Sequence, residues 1–163
     1  MSSSTLAHAA GLGAVAGMRS MAAPALLSRH LSRQTALWHR LRSRSALVHL
    51  LASRRTSAAL TALAAGEMVA DKLPFVPPRT ELPSLVGRAA SGALCGAVVA
   101  ARHRSSKPLA AVVGAVAAVG AAHLAYRLRK GAGEATGIPD PVLALAEDAL
   151  VLTAGRRLAG SAV

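Results

Sequence analysis

Aromatic side chains are nearly absent from this chain of 163 residues: Phe, Trp and Tyr occur once each. That scarcity argues against a nucleic-acid binder, because such proteins interleave aromatics with the bases for stacking. Only Trp38 lies near the arginine cluster, so no nucleic-acid partner is expected. Cysteine occurs once, as Cys95, which excludes an intrachain disulfide and a cysteine-based zinc site. Acids are also scarce, with 7 Asp and Glu against 19 Lys and Arg, and none precedes Glu67. Charged residues reach only 16% of the chain, well below the roughly 25% of an ordinary soluble domain.

What is abundant is small and apolar. Hydrophobic residues make up 53%, mostly Ala, Val and Leu, with 14 Gly, and the mean hydropathy is +0.42. Such side chains suit close packing of helices in lipid better than a bulky core. The N-terminus lacks the basic start of a secretory signal, and Gly11, Gly13 and Gly17 interrupt its apolar run. Its richness in Arg and Ser is shared with organelle transit peptides.

The apolar residues fall into segments over about 5–28, 57–73, 85–101, 108–126 and 141–158, each close to the length that crosses a bilayer core. Pro108 and Pro141 begin their segments, where proline suits a first helical turn. The expectation is an all-α integral membrane bundle of about five spans in a single domain over 1–163. Residues 29–56 form a basic loop or a helix lying on anionic lipid. Placing the arginines of 29–56, Arg102, Arg104, Lys107, Arg156 and Arg157 on the cytoplasmic side puts the N-terminus outside and the C-terminus inside.

A weak symmetry accompanies this pattern. The first and fourth segments are Gly-rich and reach an arginine, whereas the second and fifth carry acids. Two helices, a linking third and two more would form an inverted repeat of the transporter kind.

The charges inside the segments are the candidate site. An ionised group in hydrocarbon costs about 2.5–3.5 kcal/mol on insertion scales, so it is paired, wetted or at work. Glu67 and Asp71, four apart, share one helix face, with Lys72 to the side. Their candidate counter-charges are Arg19 and Arg88. Glu147 and Asp148 are adjacent, so they diverge by about 100° and cannot face one partner equally. Gly13-x-x-x-Gly17 and Gly92-x-x-x-Gly96 are close-packing faces, either within the bundle or in a homodimer. His8, His103 and His123 have no metal spacing, and neither a nucleophile–base pair nor a nucleotide fingerprint is visible. Enzyme activity, metal and cofactor are therefore not expected.

Several of these residues fall into a recognisable series. Gly17-Met18-Arg19-Ser20 with Pro24 comes first, followed by Gly66-Glu67, Asp71-Lys72-Leu73-Pro74 and Pro78-Arg79-Thr80. Gly87-Arg88 with Ser91-Gly92-Ala93 and then Glu147-Asp148 complete it. From Gly11 to Leu158 the chain resembles the membrane-protein family called domain of unknown function 4126. The resemblance implies a multi-spanning protein whose polar landmarks are Arg19, Glu67, Asp71, Lys72, Arg79, Arg88, Glu147 and Asp148. It implies no particular activity. Two functions remain open. One is conduction of a small ion or solute past the intramembrane acids. The other is a non-transporting scaffold or assembly partner, for a membrane protein or for lipid, with sealed ion pairs.

Overall fold

The computed structural model describes residues 3–38, 45–70 and 81–162. Among them the chain is all α-helical, without strands. The helices are α1 (Ser3–Met18), α2 (Ala22–Trp38), α3 (Ala46–Ala52), α4 (Arg54–Ala70), α5 (Leu82–Arg102), α6 (Lys107–Thr136) and α7 (Asp140–Ser161).

The first apolar segment is not one helix, which corrects the expectation of a single span over 5–28. It breaks at Arg19–Ser20–Met21. The cause is local. Pro24 has no N–H to give to the carbonyl of Ser20, four residues back, and its ring would strike that oxygen. The proline is harmless only if the helix starts afresh just before it. It does so, as the third residue of α2. The Arg19 N–H still reaches Val15 O at 2.9 Å, and a tight turn from Ala22 N–H to Arg19 O at 3.2 Å opens the new helix.

The break reverses the chain. Along α1, a side chain added at Gly11 would meet Leu158 of α7, and His8 Nε2 lies 3.1 Å from Ser161 Oγ. Along α2, Leu26 packs beside Gly155 and His30 beside Gly160. Thus α1 runs against α7 while α2 runs with it. The two helices form a hairpin whose tip is level with Asp148 and whose open ends lie near Ser161. His103 Nε2 donates to Ala162 O at 3.0 Å, so the α5–α6 turn belongs to this same end. Because His8 and Ser161 meet, the described ends of the chain lie together.

The remaining boundaries follow their prolines and glycines. Pro83, Pro108 and Pro141 sit in the first turns of α5, α6 and α7. Gly137 ends α6 in the left-handed region at φ 66°, where a side chain would be strained. The fourth segment, expected to stop at 126, continues to Thr136 because Arg127 to Glu134 are mostly good helix formers. Within 29–56 the described residues fall in α2, α3 and the start of α4 rather than in one surface helix. Arg29 and Arg33 belong to α2, α3 buries Val48 and Leu51, and Ser28 Oγ donates to Leu51 O at 2.5 Å.

The tightest packing joins α6 to α1 on one side and to α5 on the other. A Cβ at Gly13 or Gly92 would overlap the Gly114 carbonyl oxygen. One at Gly17 would overlap that of Ala118, and one at Gly96 that of Ala110. The glycine faces therefore meet within the bundle. Larger core residues, among them Leu12, Val15, Leu27, Leu31, Val98 and Val151, fill the space between α1, α2, α5 and α7. The exterior is also apolar. Leu109, Val112, Val116, Leu124 and Leu128 are exposed along α6, as are Val142, Leu145 and Leu150 on α7. Among the described residues, α5 and α6 are long and apolar enough to cross a membrane. A continuous α6 also differs from the broken first segment, so the two proposed halves of an inverted repeat do not share a conformation.

Candidate functional site at the broken helix

A break in a helix frees backbone groups on both sides. The last carbonyls of α1 and the first N–H groups of α2 have no partners in their own helices. Away from water each such group costs several kcal/mol if unmet. Here, charged side chains meet them.

Glu67, near the end of α4, holds the start of α2. Its Oε1 accepts the Ser20 N–H at 2.8 Å and the Ser20 hydroxyl at 2.9 Å. Its Oε2 accepts the Met21 N–H at 2.8 Å. Arg88, in the second turn of α5, holds the end of α1. Its Nη1 donates to Gly17 O at 2.6 Å and to Met18 O at 2.9 Å, while Nε donates to Ser84 Oγ at 3.2 Å. The signs suit the helix dipoles, with an anion at an N-terminus and a cation at a C-terminus. The two side chains also face each other, with Arg88 Nη2 3.9 Å from Glu67 Oε1.

Arg19 lies in the break itself and is fully buried. Its Nε donates to Asp148 Oδ1 of α7 at 2.7 Å. The tip is thus tied to α4 through Glu67, to α5 through Arg88 and to α7 through Asp148.

Glu147 turns away from its neighbour, as its position one residue on requires. Its Oε2 is 3.6 Å from Arg129 Nη1 on α6, and Arg129 also forms a short ion pair with Asp140. This second cluster clamps the α6–α7 hairpin beyond the tip.

The structure therefore brings Arg19, Glu67, Arg88 and Asp148 to one centre and puts Glu147 in another. Asp71, Lys72 and Arg79 lie outside the described residues. Of the two counter-charges considered for Glu67, Arg88 is the one that faces it. The sequence reading missed the backbone N–H groups of Ser20 and Met21 as ligands of Glu67, for which Pro24 was the available signal. It also missed Arg129 and Asp140, which lie between the fourth and fifth segments as the sequence bounds them. No group of three His, Cys, Asp or Glu that could hold a metal occurs among the described residues.

Chemically, the centre is a carboxylate seated on a helix N-terminus with a guanidinium beside it. Loss of the Glu67 charge would weaken its hold on the start of α2, while leaving Arg88 on the carbonyls of α1. Comparison with known proteins gives one match. Residues 6–155 fit the family model described as Domain of unknown function (DUF4126). No curated protein and no solved structure matches.

Proposed function

The chain belongs to the family of the Domain of unknown function (DUF4126), and from that premise we propose that it is a multi-pass membrane protein that conducts a small ion or solute past the broken helix. The membrane part rests on α6. Only 22% of its most apolar stretch is buried inside the bundle, whereas a soluble protein would bury such a helix. The arginines of α2, the start of α4, the α5–α6 turn and the end of α7 gather at the end that holds both described chain ends. By the bias of Lys and Arg toward the cytoplasm, that end faces the cytoplasm. The N-terminus then lies inside together with the C-terminus.

The observation that carries the conduction reading is the hairpin tip held by Glu67. Interrupted helices at membrane depth recur where transporters bind solutes, with helix termini and freed backbone at the site. Displacing the Glu67 carboxylate would release the start of α2 and let the tip move. Glu67 is then the gate, Asp148 the anchor of Arg19, and Arg88 the fixed cation of the path.

Proteoliposomes loaded with a pH dye, and parallel ones loaded with a halide-sensitive dye, test this. The expected result is ion flux with the wild-type chain and its loss in Glu67→Gln. Unchanged flux in both Glu67→Gln and Asp148→Asn would contradict the reading. A second reading is favoured by the pairing of Glu67, Glu147 and Asp148 with arginines. On that reading the chain is a scaffold whose ion pairs fix helix register, and the same substitutions would destabilise it with no flux to lose.

A further inference from the structure

Away from the broken helix, a cavity of about 420 Å³ opens between α2 and α7, lined by Leu26, Arg29, His30, Arg33, Arg156 and Ala159. Arg29 and Arg33 are four apart and so share a face of α2. Arg156 comes from the opposite wall. The small residues of α7 let the walls approach. A Cβ at Gly155 would crowd Leu26, and one at Gly160 would touch the His30 ring at 3.7 Å.

The chemistry of the lining is one-sided. Leu26 and buried Ala159 supply apolar surface, and the rest is cationic or a donor. The Gln34 amide nitrogen donates to His30 Nε2 at 2.7 Å. With Nε2 accepting, Nδ1 is the ring's donor, which adds a fourth donor residue. Arg29, Arg33 and Arg156 take part in none of the ion pairs that Arg19, Arg88 and Arg129 form. Arg29, Arg33 and Arg156 are exposed on the walls of the cleft, and with no carboxylate among the described residues paired to them they leave it cationic. Their planar forks suit the oxygens of a phosphate group.

We propose that this cleft binds the phosphate group of an anionic lipid headgroup, with the phosphate between Arg29, Arg33 and Arg156 and the glycerol end against Leu26 and Ala159. Basic pockets between membrane helices on the cytoplasmic side are suited to such headgroups, and the cleft lies at the basic end of the bundle. The lipid source of the phosphate rests on the membrane reading above but not on conduction. The same lining would also take free phosphate, so the test separates the two.

The test uses the purified full chain in neutral detergent. Native mass spectrometry reads the binding of phosphatidic acid, phosphatidylcholine and inorganic phosphate, each offered alone. Phosphatidic acid is expected to bind about tenfold or more tightly than phosphatidylcholine, since each charge-assisted contact is worth roughly a factor of ten. Arg29→Gln and Arg156→Gln should each remove most of that preference. Arg156→Lys should restore part of it, and Arg127→Gln, an exposed arginine on α6, should leave it intact. If inorganic phosphate binds as tightly as the lipid and depends on the same arginines, the phosphate site stands and the lipid source is overturned. Equal binding of both lipids by the wild-type chain, or a preference unmoved in folded Arg29→Gln and Arg156→Gln, overturns the proposal. Because the wild-type comparison alone can refute it, a variant that fails to fold does not shield it. Alkaline carbonate extraction of native membranes reports separately on the membrane reading.

Discussion

Arg19 and Asp148 meet in a buried contact at 2.7 Å, so neither gives up the other cheaply. Removing one member of such a buried pair takes from the other its countercharge at this contact, at a cost of about 3–5 kcal/mol. Removing both leaves apolar groups that pack. Arg19→Met and Asp148→Leu should therefore each destabilise the bundle by about that amount. The double variant should lose far less than the sum, with a coupling of about 2 kcal/mol or more. Unfolding by SDS in mixed micelles, read by circular dichroism, checks this. Additive losses would show that the 2.7 Å contact contributes little. At this scale the sequence was partly legible. The divergence of Glu147 and Asp148 follows from helical geometry alone, and their separate partners, Arg129 and Arg19, agree with it. The partners of Glu67 were less legible, because two of them are backbone N–H groups that exist as free donors only once the helix has broken.

The elements owe their closeness to glycine, and not every glycine contributes. A methyl group at Gly13 would overlap the Gly114 carbonyl oxygen, whereas one at Gly120 on α6 meets nothing within 4 Å. Gly13→Ala must push α1 away from α6 and should cost about 1–3 kcal/mol. Gly120→Ala should be neutral, or stabilising by up to about 1 kcal/mol through helix propensity. The same SDS titration compares them, and equal effects would mean that α1 and α6 do not pack through these faces. Spacing identified Gly13, Gly17, Gly92 and Gly96 as packing positions but not their shared partner α6, because spacing fixes a face and not what it meets. The break at Arg19–Ser20–Met21 was hidden for a different reason. The apolar run continues on both sides, so composition reads as one helix, and only the reach of Pro24 to the Ser20 carbonyl reveals two.

Over the whole molecule, the hairpin formed by α1 and α2 changes which ends of the chain share a side. An odd number of full crossings would separate the termini. On the membrane reading proposed above, a hairpin that enters and returns, followed by crossings of α4, α5, α6 and α7, would keep them together, in keeping with the contact between His8 and Ser161. The all-α class was legible from composition and periodicity. Topology was not, because Lys and Arg counts assign sides only after each segment is known to cross. The gate proposed at Glu67, the proposed cytoplasmic placement of both termini and the proposed phosphate cleft between α2 and α7 all depend on this hairpin.

Side-specific labelling tests the hairpin most directly. In a Cys95→Ser background, single cysteines at Ser4, Ser32 and Gly137 would be exposed to an impermeant thiol reagent in sealed membrane vesicles of known orientation. The account predicts that Ser4→Cys and Ser32→Cys, at the two open ends of the hairpin, are labelled from the same side, and Gly137→Cys from the opposite side. Labelling of Ser4→Cys and Ser32→Cys from opposite sides would mean that the first apolar segment crosses the membrane as one span, and it would contradict the broken helix as the centre of the protein.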